Sequence, residues 1–220
     1  MSALPLFARA DFQRVAGETL RPGGLTLTAR ALELCDLPWE ATVLDIGCGR
    51  GATARLLATH GHRVLALDPS EHLLLKTGTE GVCPVRGRAE SLPLADASVD
   101  AVFCECVLSV TRRMPDVLAE ASRVLRPGGT LALSDLYLRA GGTAAMTDGG
   151  CLSGAVCRDT LSDCLCAAGF TVQTFEDHSR LLAELAGKLI FAGVPAAELC
   201  GCGTGGKHGY FLCLARTRGI

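Results

Sequence analysis

The chain has 220 residues, of which 49% are hydrophobic and only 5% aromatic, which suits one domain with a single aliphatic core. Its formal net charge is −2 and its basic residues form no block, which disfavours nucleic acid and anionic lipid as partners. No apolar run approaches ~18 residues, so no transmembrane helix is predicted. The amino terminus shows no secretory pattern, so we expect a cytoplasmic protein that does not bind a membrane.

Strands and helices alternate along the chain, which is typical of an α/β sheet. Apolar runs bounded by turn residues predict seven strands, over residues 42–46, 63–67, 82–86, 100–104, 130–134, 170–175 and 209–215. Helices are predicted between them, over residues 52–60, 71–76, 115–125, 159–168 and 181–191. Pro84 places the third strand at a sheet edge, because proline cannot donate to a ladder. The glycine-rich stretch 141–154 interrupts the alternation and predicts a mobile loop.

Three alternating glycines follow the first strand and open the first of these helices: Gly47, Gly49 and Gly51. Glycines at this point let the backbone turn sharply and let a ligand approach it, and the helix amino end favours negative charge. The spacing also fits a dinucleotide fingerprint, with Asp68 near the expected acidic position. However, the carboxylate of Asp45 would repel a diphosphate, whereas it could hold the α-ammonium group of a methionine. The pattern therefore favours S-adenosylmethionine, and a nicotinamide-dependent oxidoreductase remains an alternative.

Five segments, in order, resemble a known family. Asp45-Ile-Gly-Cys-Gly-Arg-Gly51 resembles motif I of class I S-adenosylmethionine-dependent methyltransferases, in the small-molecule group that includes ubiquinone and menaquinone methyltransferases. Leu67-Asp-Pro-Ser70 resembles the acidic second motif, whose carboxylate accepts hydrogen bonds from both ribose hydroxyls. Residues 87–94 (Gly-Arg-Ala-Glu-Ser-Leu-Pro-Leu) are similar to the segment beside adenine, and residues 98–104 resemble the fourth strand. Residues 120–129 resemble the turn before the fifth strand, with its Glu-x-x-Arg and Arg-Pro-Gly-Gly.

The resemblance implies a single-domain, doubly wound Rossmann-like α/β fold, with a seven-stranded, mostly parallel sheet whose last strand is antiparallel. Residues 1–40 would form an amino-terminal helical segment, residues 41–135 the cofactor-binding half and residues 136–220 the substrate-side half. It implies S-adenosylmethionine as the cofactor. The residues expected to bind it are Asp45, Gly47, Cys48, Gly49, Gly51, Asp68, Pro69, Arg88, Ala89, Glu90, Cys104 and Glu105.

Two departures from the family pattern matter. Arg50 replaces the usual threonine of motif I, and Arg88 replaces the aspartate that binds the adenine amino group in the family. We therefore expect backbone groups near Ala89 and Glu90 to recognise adenine. Residues 107–110 lack the paired histidines often seen in relatives, which leaves any catalytic base open.

Cysteines occur at twelve positions, and three Cys-x-Cys pairs stand out, at 104/106, 164/166 and 200/202. None has the spacing of a zinc site, so no metal ligand is assigned. Cys104 and Cys106 flank the end of the fourth strand and are expected to face the cofactor cleft. The thiols of Cys200 and Cys202 could bind a soft metalloid, although small buried hydrophobes are the plainer interpretation of most of these cysteines.

The predicted function is methyl transfer to an unidentified small-molecule acceptor by in-line displacement at the sulfonium. Cysteine-assisted methylation of a metalloid or thiol, and a catalytically silent S-adenosylmethionine-binding protein, are the alternatives. Glu105, Ser109 and His178 are candidates to face the acceptor. The amino-terminal stretch 21–24 and the segment 136–158 after the fifth strand are expected to shape its pocket. The oligomeric state is left open.

Overall fold

The computed structural model describes residues 9–139, 154–195 and 208–218. These residues form eight strands and eight helices. The strands are β1 Thr42–Ile46, β2 Arg63–Asp68, β3 Val82–Arg86, β4 Val99–Glu105, β5 Leu125–Leu138, β6 Val156–Cys157, β7 Phe170–Asp177 and β8 His208–Thr217. The helices are α1 Ala10–Ala16, α2 Gly24–Cys35, α3 Ala52–Thr59, α4 Glu71–Leu74, α5 Leu108–Thr111, α6 Met114–Val124, α7 Arg158–Ala167 and α8 Ser179–Phe191.

One sheet contains all eight strands. Seven of them follow the order β3-β2-β1-β4-β5-β8-β7, and the two-residue β6 pairs with β5. The pairs from β3 to β5 are parallel, whereas β8 runs antiparallel to both of its neighbours. The predicted mostly parallel sheet with an antiparallel last strand is therefore confirmed, and so is the edge position of β3. The short β6 was not predicted, because two residues carry no periodicity.

The chain reverses its direction of winding between β1 and β4. It leaves β1 for β2 and β3 on one side, then returns to add β4 on the other side. Ligands in open α/β sheets bind at such a switch point, outside the carboxyl ends of the strands. Here those ends carry the glycine turn after β1, Asp68 on β2 and Glu105 on β4.

Helices cover both faces of the sheet. Side chains of α6 and α7 pack on the face that carries Leu44 and Ile46, whereas α2 and α3 pack on the face that carries Val43. Because side chains alternate along a strand, Asp45 must project on the same side as Val43. A third apolar cluster joins Phe12 of α1 to Leu189 of α8.

The fifth strand begins earlier than predicted. Its residues run from Leu125 and include the Pro-Gly-Gly stretch, where Gly128 has a φ of 77°. The partner register slips between Val99 and Ala101 at the same point. The glycines therefore lie within β5, where they interrupt its pairing with β4. They do not form a separate turn before the strand. Among the described residues, no helix is long and apolar enough to cross a membrane.

Candidate functional site

A cavity of about 590 Å³ opens at the carboxyl ends of β1, β2 and β4, a volume typical of small-molecule sites. The segment between α1 and α2 and one face of α8 complete its wall. Ten of the twelve residues expected to bind cofactor line it: Asp45, Gly47, Cys48, Gly49, Asp68, Pro69, Arg88, Ala89, Glu90 and Glu105.

The glycine turn after β1 approaches its neighbours closely at Gly47. The amides of Gly47 and Cys48 both donate to the carbonyl oxygen of Leu67, which ties the turn to β2. A Cβ on Gly47 would lie 2.5 Å from Cγ2 of Val107, whereas one on Gly49 would meet open space. Both glycines have positive φ angles, which disfavour any other residue.

Gly51 has a structural role before α3. It does not line the cavity, and it precedes α3 with a φ of 77°. A Cβ there would lie 2.8 Å from Cγ2 of Thr77. The expected cofactor contact stays a prediction, and the structure shows that this glycine permits a close approach between the α3 amino end and the segment after α4.

Asp68 bridges the first two strands. Its Oδ2 accepts a hydrogen bond from the amide of Gly49 at 3.0 Å, and its Oδ1 accepts one from the amide of Ser70 at 2.8 Å. Each carboxylate oxygen can accept a second bond. The side chain is thus fixed in place at the cavity wall while it keeps the capacity to accept hydroxyl donors.

Two buried side chains of the cavity wall each have one polar atom without a partner among the described residues. Oδ2 of Asp45 and Nε of Arg21 are both buried, and neither has a hydrogen-bond partner among the described residues. Burial raises the pKa of Asp45 to about 8, Glu105 adds to the rise and Arg21 opposes it. Unpaired buried polar atoms are costly, so a ligand group that bonded to either atom would be stabilised.

Glu105 is held by a buried network that crosses from the amino-terminal segment to the sheet. Its Oε2 lies 2.7 Å from Nη2 of Arg21, and both side chains are about 5–6% exposed. The hydroxyls of Thr28 and Thr53 donate to the same carboxylate, at 3.1 Å to Oε1 and 2.7 Å to Oε2 respectively. Glu105 therefore lines the cavity with its carboxylate already engaged, and it fastens α2 and α3 to the end of β4.

The loop that carries Ala89 and Glu90 is braced from α6. Oε2 of Glu120 accepts the amide of Leu92 at 2.6 Å, and Arg123 donates to the carbonyl oxygens of Leu92 and Leu94 at 3.0 and 2.8 Å. The Glu-x-x-Arg pair thus does more than precede the fifth strand, since it fixes the shape of the loop that lines the cavity. Arg88 itself is largely exposed and pairs with Glu90 at 3.5 Å.

Cys104 and Cys106 lie in different surroundings at the end of β4. Cys104 is 1% exposed and belongs to the core on the α6 face, so its expected place in the cleft is wrong. Strand alternation turns it away from Asp45 and Glu105. Cys106 does line the cavity, and its Sγ lies 3.1 Å from the hydroxyl of Tyr210.

Two candidates for the acceptor side lie elsewhere. The hydroxyl of Ser109 donates to Oδ1 of Asp135 at 2.5 Å, and Ser109 is 2% exposed. Nε2 of His178 lies 2.9 Å from Oε2 of Glu176. Neither Ser109 nor His178 lines the cavity, because one is turned into the core and the other follows β7.

The segment 21–24 was expected to shape a pocket, and Arg21 and Pro22 do line the cavity. Sequence patterns did not find the wall contributed by Thr53, Leu182 and Leu185, since nothing local marks a helical leucine as facing a cavity. Cys200, Cys202 and residues 141–153 of the glycine-rich stretch lie outside the described residues. Within the described residues, no group of three or more metal-binding side chains comes together.

The strand order β3-β2-β1-β4-β5-β8-β7 places a glycine turn and an acidic residue side by side at the ends of β1 and β2. Residues 44–133 match the family described as "Methyltransferase domain". This segment is therefore similar to a methyltransferase domain, and the match covers less than half of the chain.

Named relatives agree with that assignment. The chain is 39% identical over 132 residues to a malonyl-[acyl-carrier protein] O-methyltransferase of Methylococcus capsulatus. The aligned segment covers 57% of this chain and 45% of the relative. It is 38% identical over 90 residues to the ubiquinone/menaquinone biosynthesis C-methyltransferase UbiE of Rubrivivax gelatinosus, covering 40% of this chain and 36% of the relative. The chain thus spans less than half the length of these relatives.

The fold also matches solved structures. The [4+2]-cyclase SpnF superposes with a TM-score of 0.74 at 23% identity, over 89% of this chain and 81% of that chain. At this identity the likeness concerns the fold alone, because one fold can carry different chemistries.

Proposed function

We propose that this chain binds S-adenosylmethionine and transfers its methyl group to a small-molecule acceptor. The observation that carries the proposal is that Asp45 and Arg21 line one cavity, and each keeps one buried polar atom (Oδ2 and Nε) without a partner among the described residues. The amino-acid end of the cofactor has one ammonium and one carboxylate. Those two groups complement the two atoms in charge, whereas a diphosphate would be repelled by the Asp45 carboxylate.

Other residues of the cavity fit the rest of the cofactor. Asp68 keeps acceptor capacity for the two ribose hydroxyls, with its position fixed by the amides of Gly49 and Ser70. Gly49 leaves open space where a side chain would intrude. The backbone around Ala89 and Glu90 lines the same cavity and would read adenine.

When bound, S-adenosylmethionine supplies a methyl group activated by its positively charged sulfur. The protein's task in such a displacement is to align the acceptor and exclude water. Apolar side chains of α8 and Phe12 of α1 form part of the cavity wall, and they would keep water from the acceptor. The buried Arg21–Glu105 network would hold the amino-terminal segment against the strand ends during the reaction.

Calorimetric titration tests the cofactor assignment. The full chain should bind S-adenosylmethionine, and Asp45→Asn should weaken that binding by about tenfold or more, because a charge-assisted bond contributes roughly 1.5–3 kcal/mol. Asp100→Asn is the matched control, since Asp100 pairs with Arg126 and does not line the cavity. Binding of NAD(H) in place of S-adenosylmethionine would overturn the proposal.

Turnover is a separate measurement. Release of S-adenosylhomocysteine should be followed with a panel of acceptors that includes a malonyl thioester, since a relative is named for that activity. Tight cofactor binding with no release for any acceptor would instead favour the catalytically silent alternative. Inclusion of arsenite in the panel tests the metalloid alternative.

A further inference from the structure

The wall of the cavity has two chemically different parts. The charged residues Asp45, Asp68 and Glu105 come from the strand ends. An apolar part, which we call the α8 wall, comes from α1, β5 and α8. Its members are Phe12, Leu136, Leu182, Leu185, Ala186 and Leu189.

Cys106 lies at the end of β4 in the same cavity. Its φ of 56° is in the left-handed region, which residues with a Cβ rarely adopt and which clusters at functional sites. Its Sγ contacts the hydroxyl of Tyr210, which lies 3.2 Å from the hydroxyl of Ser134. Its amide donates to the carbonyl oxygen of Ser134 at 2.7 Å. Cys106 is therefore held in this backbone conformation by bonds to the central sheet.

Independently of Cys106, Asp45 and Arg21 each keep one buried polar atom without a partner among the described residues, and both residues line this cavity. The cofactor's charged end would satisfy both atoms. The α8 wall offers no charge, so it is suited to a different molecule from the cofactor's amino-acid end.

We propose that the methyl acceptor packs an apolar body against the α8 wall and places its reacting end in contact with Cys106. This inference rests on the proposed function, because it assigns the second substrate of the same cavity. It assigns an acceptor class, a small molecule with an uncharged apolar body, and it makes Cys106 the residue that sets where the reacting atom lies.

Thiol labelling tests the proposal without knowledge of the acceptor. The full chain is treated with iodoacetamide or with N-hexyl iodoacetamide, and the alkylation rate of each cysteine is measured by peptide mass spectrometry. Cys157 is the internal reference, because it is exposed and does not line the cavity. The ratio of the Cys106 rate to the Cys157 rate then cancels the intrinsic reactivity of each reagent.

The hexyl reagent should raise that ratio by about tenfold or more, since each methylene buried against an apolar wall strengthens binding. Leu185→Asp, which puts a charge into the α8 wall, should abolish the gain. Ile190→Asp is the matched control, because Ile190 is on the same helix, is 48% exposed and does not line the cavity. That variant should keep the gain.

A ratio that is the same for both reagents, or a gain that survives Leu185→Asp, would overturn the inference. Failure of the acceptor-site inference can be distinguished from failure of the cofactor proposal. Binding of S-adenosylmethionine with a flat labelling ratio would refute only the acceptor site. A raised ratio without cofactor binding would leave an apolar ligand site and refute methyl transfer.

Discussion

Asp45 is a buried acid whose ionisation lowers the stability of the folded chain. Its carboxylate is 2% exposed and has one oxygen without a partner among the described residues. Burial raises its pKa to about 8, against about 3.9 in an unfolded chain. The folded chain therefore holds this proton more tightly than the unfolded chain, and the free energy of unfolding falls as pH rises between those two values.

At pH 8, Asp45→Asn should be more stable than the unmodified chain. A shift of one pKa unit corresponds to about 1.4 kcal/mol, so the difference between variant and parent should grow by on the order of 3 kcal/mol from pH 5 to pH 8. Urea unfolding at several pH values, without cofactor, measures it. Parallel pH profiles for the two proteins would contradict the raised pKa. Asp100→Asn serves as a control, because Arg126 helps to lower the pKa of that carboxyl.

At the scale of an element, α6 determines the shape of a loop distant from it in sequence. Glu120 and Arg123 bond to the backbone of Leu92 and Leu94, and the neighbouring Ala89 and Glu90 line the cavity. Hydrogen bonding to Arg123 lowers the pKa of Glu120, so the pair stays ionised at neutral pH. The helix thus positions one wall of the site without entering it.

Replacement of Arg123 by methionine should therefore weaken binding of S-adenosylmethionine by about three- to tenfold. It should also lower the free energy of unfolding by about 1–2 kcal/mol, because several bonds to backbone are lost. Calorimetry and urea unfolding measure the two effects. Arg113→Met, immediately before the same helix, is the comparison, since the partner Asp116 is exposed. An unchanged affinity in Arg123→Met would show that the loop keeps its shape without the brace.

Across the whole molecule, the amino-terminal segment is joined to the sheet by a buried ion pair. Arg21 and Glu105 lie far apart in sequence but are 2.7 Å apart at the cavity. Removal of one partner leaves a buried charge uncompensated, whereas removal of both does not. Glu105→Leu should thus cost about 3–5 kcal/mol of unfolding free energy, and the double variant with Arg21→Met should recover most of it.

Chemical denaturation of the two variants tests this coupling. The exposed pair Arg86–Glu71, with both side chains 69% exposed, provides the comparison. Glu71→Ala should change stability by less than about 1 kcal/mol, because exposed ion pairs contribute little. If the double variant were as unstable as Glu105→Leu, the pair would not be the source of the cost.

The sequence by itself predicted most of the strands and the residues at their ends. Strand ends and turn residues are local features, so Asp45, Gly47, Gly49 and Asp68 could be placed at the ends of the first two strands, and the family resemblance placed those strands in one parallel sheet. The alternation of apolar runs likewise predicted the strands from β1 to β5, and Pro84 predicted the edge.

The tertiary structure decided what depends on side-chain direction and on contacts distant in sequence. Alternation turns Cys104 into the core, while the positive φ of Cys106 brings that residue to the cavity. A single sequence does not encode that angle in any readable pattern. The pairing of Arg21 with Glu105 and the brace from Arg123 also arise only when separate elements pack together. Local periodicity reports which side of an element is apolar, but packing decides which residues of that side border a cavity.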